Sequence, residues 1–246
     1  MRGCGCTSVF KREVRGYFST PLAYVLLVIF LFFSSFLTFQ QGFFEMGQAS
    51  LRIFFSNLPL LFIFFGPAIA MRLWAAERKS NSIELLFTLP ITPTQAVLGK
   101  FFAAWAFMGL ALALTFPMLL TVGYLGNPDA GPIITGYFGA FLLAGAYLAI
   151  GSFFSSLSRN QVIAFVLGVV GCSVFLFAGS PTVLSYLSGL LPMGLVEAVE
   201  GLSFRTRFES MQRGVIELRD VAFFAILTAG WLWANVVAIE ERRTAG

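Results

Sequence analysis

The spacing closest to a catalytic motif in this chain is Leu98-Gly99-Lys100-Phe101, a glycine and lysine in the order used by a phosphate-cradling loop. That loop also needs an upstream glycine and a hydroxyl directly after the lysine, and both are missing here. The chain is therefore not expected to hydrolyse a nucleotide by itself through this stretch. Histidine is absent, which removes Ser–His catalysis, histidine-based zinc sites and histidine proton relays. No Asp or Glu falls in the middle of an apolar run, so a carboxylate pathway for protons or sodium is poorly supported. Cys4, Cys6 and Cys172 do not make a disulfide framework. Cys4 or Cys6 could accept a lipid, but no apolar segment precedes them, so a cleavable lipoprotein signal is not expected. Ser34, Ser35, Thr38, Thr115 and Asn235 lie in apolar runs and read as helix–helix hydrogen bonds rather than substrate ligands.

The elements that could position anything are membrane helices. The chain is 58% hydrophobic and 11% charged, with 30 Phe and a mean hydropathy of +0.84. Soluble domains carry about a quarter charged residues, so this chain has too little polar surface for water. A span takes roughly 20 mostly apolar residues and must satisfy its own backbone. The expected fold is an all-α polytopic membrane protein forming a single domain over 1–246. Its six spans are placed at 22–39, 58–76, 101–125, 133–157, 162–179 and 221–239.

The longest interruption on the basic side is Glu77 to Lys100, and it is read as the working joint. Asn81 can cap a short helix, with Glu84 reaching back, and Thr92, Pro93 and Gln95 repeat the grammar as N-cap, N1 and N3. Capping alone favours a well-made connector. The apolar face of Ile83, Leu86 and Phe87 makes a docking surface for a partner the rival reading.

Ahead of the first span, Phe10, Val14, Tyr17 and Phe18 fall on one helical face of 7–20, with Lys11, Arg12 and Arg15 on the flank and far side. This predicts a helix in the headgroup layer, apolar face down and basic face toward anionic lipid, ended by Pro21. Residues 40–57 read as a loop. Pro59, Pro67 and Pro117 predict bends in the second and third spans. Gly136, Ala140 and Ala144, and likewise Gly145 and Ala149, recur every four residues and predict a centrally packed fourth span. The segment 180–219 carries two short apolar stripes, 183–191 and 195–202, expected at the outer interface. Placing the N-terminus, the 77–100 loop, the turn at Ser158 and the C-terminal tail on one side leaves only Arg52, Arg205, Arg207, Arg213 and Arg219 of the sixteen Lys and Arg opposite. Both termini are then expected in the cytoplasm.

Several separated stretches resemble ABC-2 type transporter permeases. These are Phe10-Lys11-Arg12-Glu13 through Thr20-Pro21-Leu22-Ala23-Tyr24, Met71-Arg72 through Glu77-Arg78-Lys79, Ile83-Glu84-Leu85-Leu86 with Leu89-Pro90-Ile91, and Val97-Leu98-Gly99-Lys100-Phe101. The outer stretch Phe208 to Val221, which includes Arg213, Arg219 and Asp220, is similar to the gliding-motility branch. Ser80-Asn81-Ser82 departs from the glycine-threonine pair common in relatives. The resemblance implies a non-catalytic permease half in a bacterial inner membrane, pairing with a second copy or a related chain. Cytosolic ABC ATPase subunits would carry ATP and Mg, with no cofactor on this chain and no nucleic acid. It further implies ATPase contact through Glu77, Arg78, Lys79, Asn81, Ile83, Glu84, Leu85, Leu86 and Phe87, with the 10–18 helix as a second contact. An auxiliary membrane protein with a large outer domain would seat on the outer helices. A nucleotide-independent carrier and a structural platform remain the rival readings. The transported substrate is not legible.

Overall fold

The computed structural model describes residues 4–41, 50–80, 92–126, 128–189 and 192–244. They form helices and turns, with no strand among the described residues. In chain order the helices are α1 (Cys4–Ser19), α2 (Pro21–Gln40), α3 (Arg52–Lys79), α4 (Pro93–Ala113), α5 (Phe116–Leu125) and α6 (Ala130–Leu157). Then follow α7 (Gln161–Phe177), α8 (Pro181–Ser188), α9 (Met193–Gly201), α10 (Phe204–Gln212) and α11 (Leu218–Thr244).

Among the described residues, five stretches are long and apolar enough to cross a bilayer: α2, α3, α4 with α5, α6, and α11 up to Glu241. The remaining expected span, the fifth at 162–179, corresponds to α7, only 17 residues and so about 26 Å long, at the lower limit for a crossing. The second span is longer than its sequence reading. Helix α3 begins at Arg52, inside the stretch expected to be a loop, because Phe54, Phe55 and Leu58 are buried and continue its inward face. Gln41 and Asn57 exchange side-chain amide hydrogen bonds of 2.9 and 3.3 Å, tying the end of α2 to α3. The bend expected at Pro117 is present. The helix stops at Leu114–Thr115 and restarts as α5 with Pro117 in its first turn, where the missing N–H costs nothing.

Helices α3 and α6 are the buried pair, and small residues set their distance. A Cβ on Gly151 would meet the Ala70 methyl at 2.7 Å, and one on Gly168 would meet Pro67 at 2.9 Å. Helices α3, α6 and α7 thus cross at Pro67, Gly151 and Gly168. Gly136 plays the same part against Phe55 at 2.6 Å, and Ala140, Ala144 and Ala149 are fully buried. The central placing of the fourth span follows directly from its sequence stripe. Trp105 of α4 locks onto α6 by stacking on Phe141 at 4.3 Å and donating its indole N–H to the Phe141 carbonyl at 2.8 Å.

The described residues of the segment 180–219 hold one helix more than its two stripes predict. Helices α8 and α9 present Tyr186, Met193 and Leu195 outward, but α10 turns inward. Phe204, Phe208 and Met211 are completely buried. Phe204 sits edge-on to Tyr147 at 5.0 Å and stacked on Phe175 at 5.2 Å. Gly139 makes room for Met211, whose sulfur would lie 2.6 Å from an added Cβ. The Thr135 hydroxyl donates to the Met211 carbonyl at 2.7 Å. The chain leaves α10 through Gly214, held at φ +90°, a left-handed turn suited to glycine.

Candidate functional site

The end of the bundle that carries α1 and the 77–100 segment is organised by two well-terminated helices. Helix α3 closes with Arg78 and Lys79 in its last turn, opposing the negative end of the helix dipole, and the Ser80 hydroxyl donates back to the Ala76 carbonyl at 3.1 Å. Helix α4 opens with the expected capping box. Gln95 N donates to Thr92 Oγ1 at 3.3 Å, Thr92 N donates to Gln95 Oε1 at 3.4 Å, and Pro93 is at N1. Residues 81–91 run between these two ends. Asn81, Ile83, Glu84, Leu85, Leu86 and Phe87 of the expected contact set lie there, outside the described residues.

Between the two ends sits a buried lysine. Lys100, on the second turn of α4, has a side chain only 2% exposed. Its ammonium lies 2.9 Å from Glu13 Oε1 on α1 and 2.8 Å from Glu77 Oε1 on α3, and 5.2 Å from the centre of the Trp74 ring. Arg12 approaches the same carboxylate oxygens from the surface, at 3.1 Å from Glu13 and 3.3 Å from Glu77. Two cations and two carboxylates therefore sum to zero charge and join three helices. Burial resists ionisation of Glu13, but the adjacent Lys100 and Arg12 outweigh it and hold the carboxyl below its ordinary 4.5. The arrangement contains no nucleophile–base pair. It is a clasp, and it accounts for Gly99-Lys100: the lysine is committed to carboxylates within a helix, and Gly99 lets α1 approach, since a Cβ there would meet Val9 at 2.9 Å and the Cys6 carbonyl at 3.0 Å.

Of the residues expected on the first helix, Tyr17 is buried, Phe10 and Val14 are packed against the core, and Phe18 is exposed. Their common face lies against α4, where Tyr17 stacks on Phe107 at 5.0 Å. Lys11, Arg12 and Arg15 are exposed, Arg12 while reaching back to Glu13 and Glu77. Burial, with the Glu13 charge beside it, raises the Tyr17 pKa well above its ordinary 10.0, so the hydroxyl keeps its proton. Glu77 and Arg78 are half-buried and Lys79 is exposed. The site reading of the sequence omitted Glu13 and Lys100. The available signal was charge imbalance: a lone lysine leading an apolar run, and a lone glutamate in a basic helix, each need a counter-charge.

Directly above the clasp a hydroxyl network ties α3 to α6 and α11. The Ser155 hydroxyl donates to the Met71 carbonyl at 2.9 Å and accepts from the backbone N–H groups of Trp74 and Ala75 at 3.2 and 3.1 Å. The Trp74 indole N–H and the Asn235 amide both donate to Ser152, at 3.3 and 2.7 Å. Asn235 thus makes the interhelical bond its sequence position implied, as does Thr115, 2.9 Å from the Tyr137 hydroxyl. Ser34 and Thr38 instead donate to carbonyls of their own helix.

At the opposite end of the bundle, Phe208 and Asp220 are buried, whereas Arg213 and Arg219 are exposed. Asp220 accepts from Arg207 at 3.1 Å and from the Ser210 hydroxyl, fastening α10 to the start of α11. Arg213 pairs with Glu209 at 2.9 Å. Among the described residues no group of histidine, cysteine or carboxylate side chains is placed to hold a metal ion.

A bundle of apolar helices, fastened by a charge clasp at one end and the buried helix α10 at the other, defines an all-α, multi-pass membrane protein. Residues 18–204 match the family described as ABC-2 family transporter protein, which is more than half of the chain. The chain belongs to that family, and so to the permease-type membrane components of ABC transporters. The match stops short of Phe208–Val221, the stretch similar to the gliding-motility branch. No curated protein matches the chain.

Proposed function

We propose that this chain is the moved part of an ATP-driven transporter, with the fuel burned by separate cytosolic ATPase subunits that carry ATP and Mg. Two permease chains, identical or related, would form the path in a bacterial inner membrane with both termini cytoplasmic. The ATPase would seat on the 77–100 segment, using Glu77, Arg78 and Lys79 and the expected contacts Asn81, Ile83, Glu84, Leu85, Leu86 and Phe87. The observation that carries this reading is Lys100 buried between Glu13 and Glu77. A push delivered to the short segment between α3 and α4 is transmitted at once to both helices and to α1, because their ends are joined by charges that cannot separate without exposing an unpaired ion. The Ser155 and Asn235 bonds extend that grip to α6 and α11. The outward apolar residues of α8 and α9 support seating for an auxiliary membrane protein with a large outer domain.

The test is reconstitution with a cytosolic ABC ATPase that co-purifies with this chain. Glu84→Lys, or deletion of residues 83–87, is expected to abolish substrate-coupled ATP hydrolysis and weaken co-purification, while the helical content of the permease stays unchanged. Full complex formation and transport by both variants would remove the coupling role. Transport by the purified permease without any ATPase would remove the whole reading.

A further inference from the structure

Beside the clasp, α1 and α3 do not close on each other. A cleft of about 240 Å³ separates them, lined by Glu13, Gly16, Tyr17 and Thr20 on one wall and by Arg72 and Leu73 on the other. The α1 residues recur at helical spacing, so the cleft is a groove running between two helices rather than a surface dent. Three observations give it a chemistry. The Tyr17 side chain is 9% exposed, and its hydroxyl is buried with no hydrogen-bond partner. The Arg72 guanidinium makes no ion pair among the described residues. A Cβ on Gly16 would meet nothing within 4 Å, so space remains at the cleft wall.

The charges favour an anion. Glu13 also lines the cleft, but its charge is spent on Lys100 and Arg12, and the clasp as a whole is neutral. Arg72 is the charge left over. The Thr20 hydroxyl is already donated to the Gly16 and Tyr17 carbonyls, so the free donors are the guanidinium and the protonated Tyr17 phenol. An arginine fork with one added hydroxyl donor is the donor set for a phosphate. The level of the cleft identifies the source of that phosphate. Phe18, next in the chain to Tyr17, and Tyr24 are exposed and edge-on to each other at 6.4 Å where α1 turns into α2, as aromatic residues are at the headgroup boundary. The exposed Lys11 and Arg15 on the same helix draw anionic lipid to this depth.

We propose that the α1–α3 cleft binds the headgroup phosphate of an anionic phospholipid, held by Arg72 and the Tyr17 hydroxyl. The lipid would fill the gap between the first helix and α3 and so bear on how firmly α1 is seated.

The test is native mass spectrometry of the purified full-length chain from micelles containing phosphatidylglycerol or phosphatidylcholine. Wild-type protein is expected to retain phosphatidylglycerol selectively. Arg72→Gln is expected to lower that retention about tenfold, the effect of losing a charge-assisted contact, and Tyr17→Phe to lower it by a smaller factor. Gly16→Leu fills the cleft from a position where the added Cβ meets no protein atom, and is expected to expel the lipid without altering thermal unfolding in a lipid-free detergent. Unchanged retention in Gly16→Leu and Arg72→Gln would overturn the proposal. So would inorganic phosphate displacing the lipid at equal concentration, which would make the site one for a free anion. Because the readout is lipid retention by the permease alone, it stands or falls independently of ATPase coupling.

Discussion

Lys100 Nζ lies 2.8 Å from Glu77 Oε1, so the last turn of α3 and the second turn of α4 are joined by a buried ion pair 23 residues apart in the chain. Glu13, 87 residues from Lys100, completes the contact from α1. The region around 81–91 is therefore carried on a base whose two ends cannot drift apart independently.

Lys100→Met removes the buried cation and leaves Glu13 and Glu77 facing each other with only the exposed Arg12 beside them. Breaking one side of a buried pair costs about 3–5 kcal/mol, so a fall of that order in unfolding free energy is expected in detergent. Arg12→Gln should cost far less, because its side chain is 53% exposed and solvent screens it. Glu77→Gln combined with Lys100→Met should recover part of the loss, which a double-mutant cycle would read. Equal effects of Lys100→Met and Arg12→Gln would remove the clasp from the account.

The clasp also has a definite response to acid. Glu13 is held below its ordinary value of 4.5 in the folded chain, so it binds protons less readily there than when unfolded. Its contribution is therefore fully present above the ordinary carboxylate range and disappears as pH falls through the depressed folded value. Amide hydrogen exchange along α1 should stay protected as pH is lowered to 4.5, then rise below it. Glu13→Gln should lose this acid-dependent step altogether.

How far the sequence reaches is visible in single elements. The start of α4 could be read because Thr92, Pro93 and Gln95 are local instructions, complete within one turn. The crowding of α6 could be read because Gly136, Ala140 and Ala144 repeat along one element. The clasp could not, since Glu13, Glu77 and Lys100 come from three helices and their pairing is purely tertiary. Helix α10 was hidden for a different reason. Its buried Phe204 and Phe208 are interleaved with Arg205, Arg207 and Glu209, so average polarity masks a two-residue stripe. The start of α3 was hidden because Arg52, Ser56 and Asn57 on its polar flank resemble loop composition, while Phe54 and Phe55 face inward.

The helix crossing at Pro67 gives a steric prediction. Gly151→Leu would drive a side chain into the Ala70 methyl and the Pro67 backbone, 2.7 and 3.2 Å from the first added carbon. Overpacking of this kind costs about 1–3 kcal/mol or more, and thermal unfolding of the purified chain should show it. Gly123→Ala on α5 is the control, because its added carbon meets nothing within 4 Å and alanine is the better helix former. The control variant should be neutral or slightly stabilised.

The fastening of α10 should fail in a way that separates the outer insert from the rest of the bundle. Arg207 reaches Asp220 at 3.1 Å, packs over the Phe223 ring at 5.6 Å and donates to the Gly201 carbonyl at 3.4 Å. Arg207→Met strips the buried Asp220 of its cation and leaves only the Ser210 hydroxyl to satisfy it. Protease accessibility between α9 and α11 should rise, with no change in protection around Lys100, more than a hundred residues away in sequence and at the opposite end of α6. Pairing Arg207→Met with Asp220→Asn removes the stranded charge and should restore much of the protection. If Arg207→Met instead loosened both ends equally, the two fastenings would be one cooperative unit, coupled by a route other than the hydroxyl network of Ser152 and Ser155.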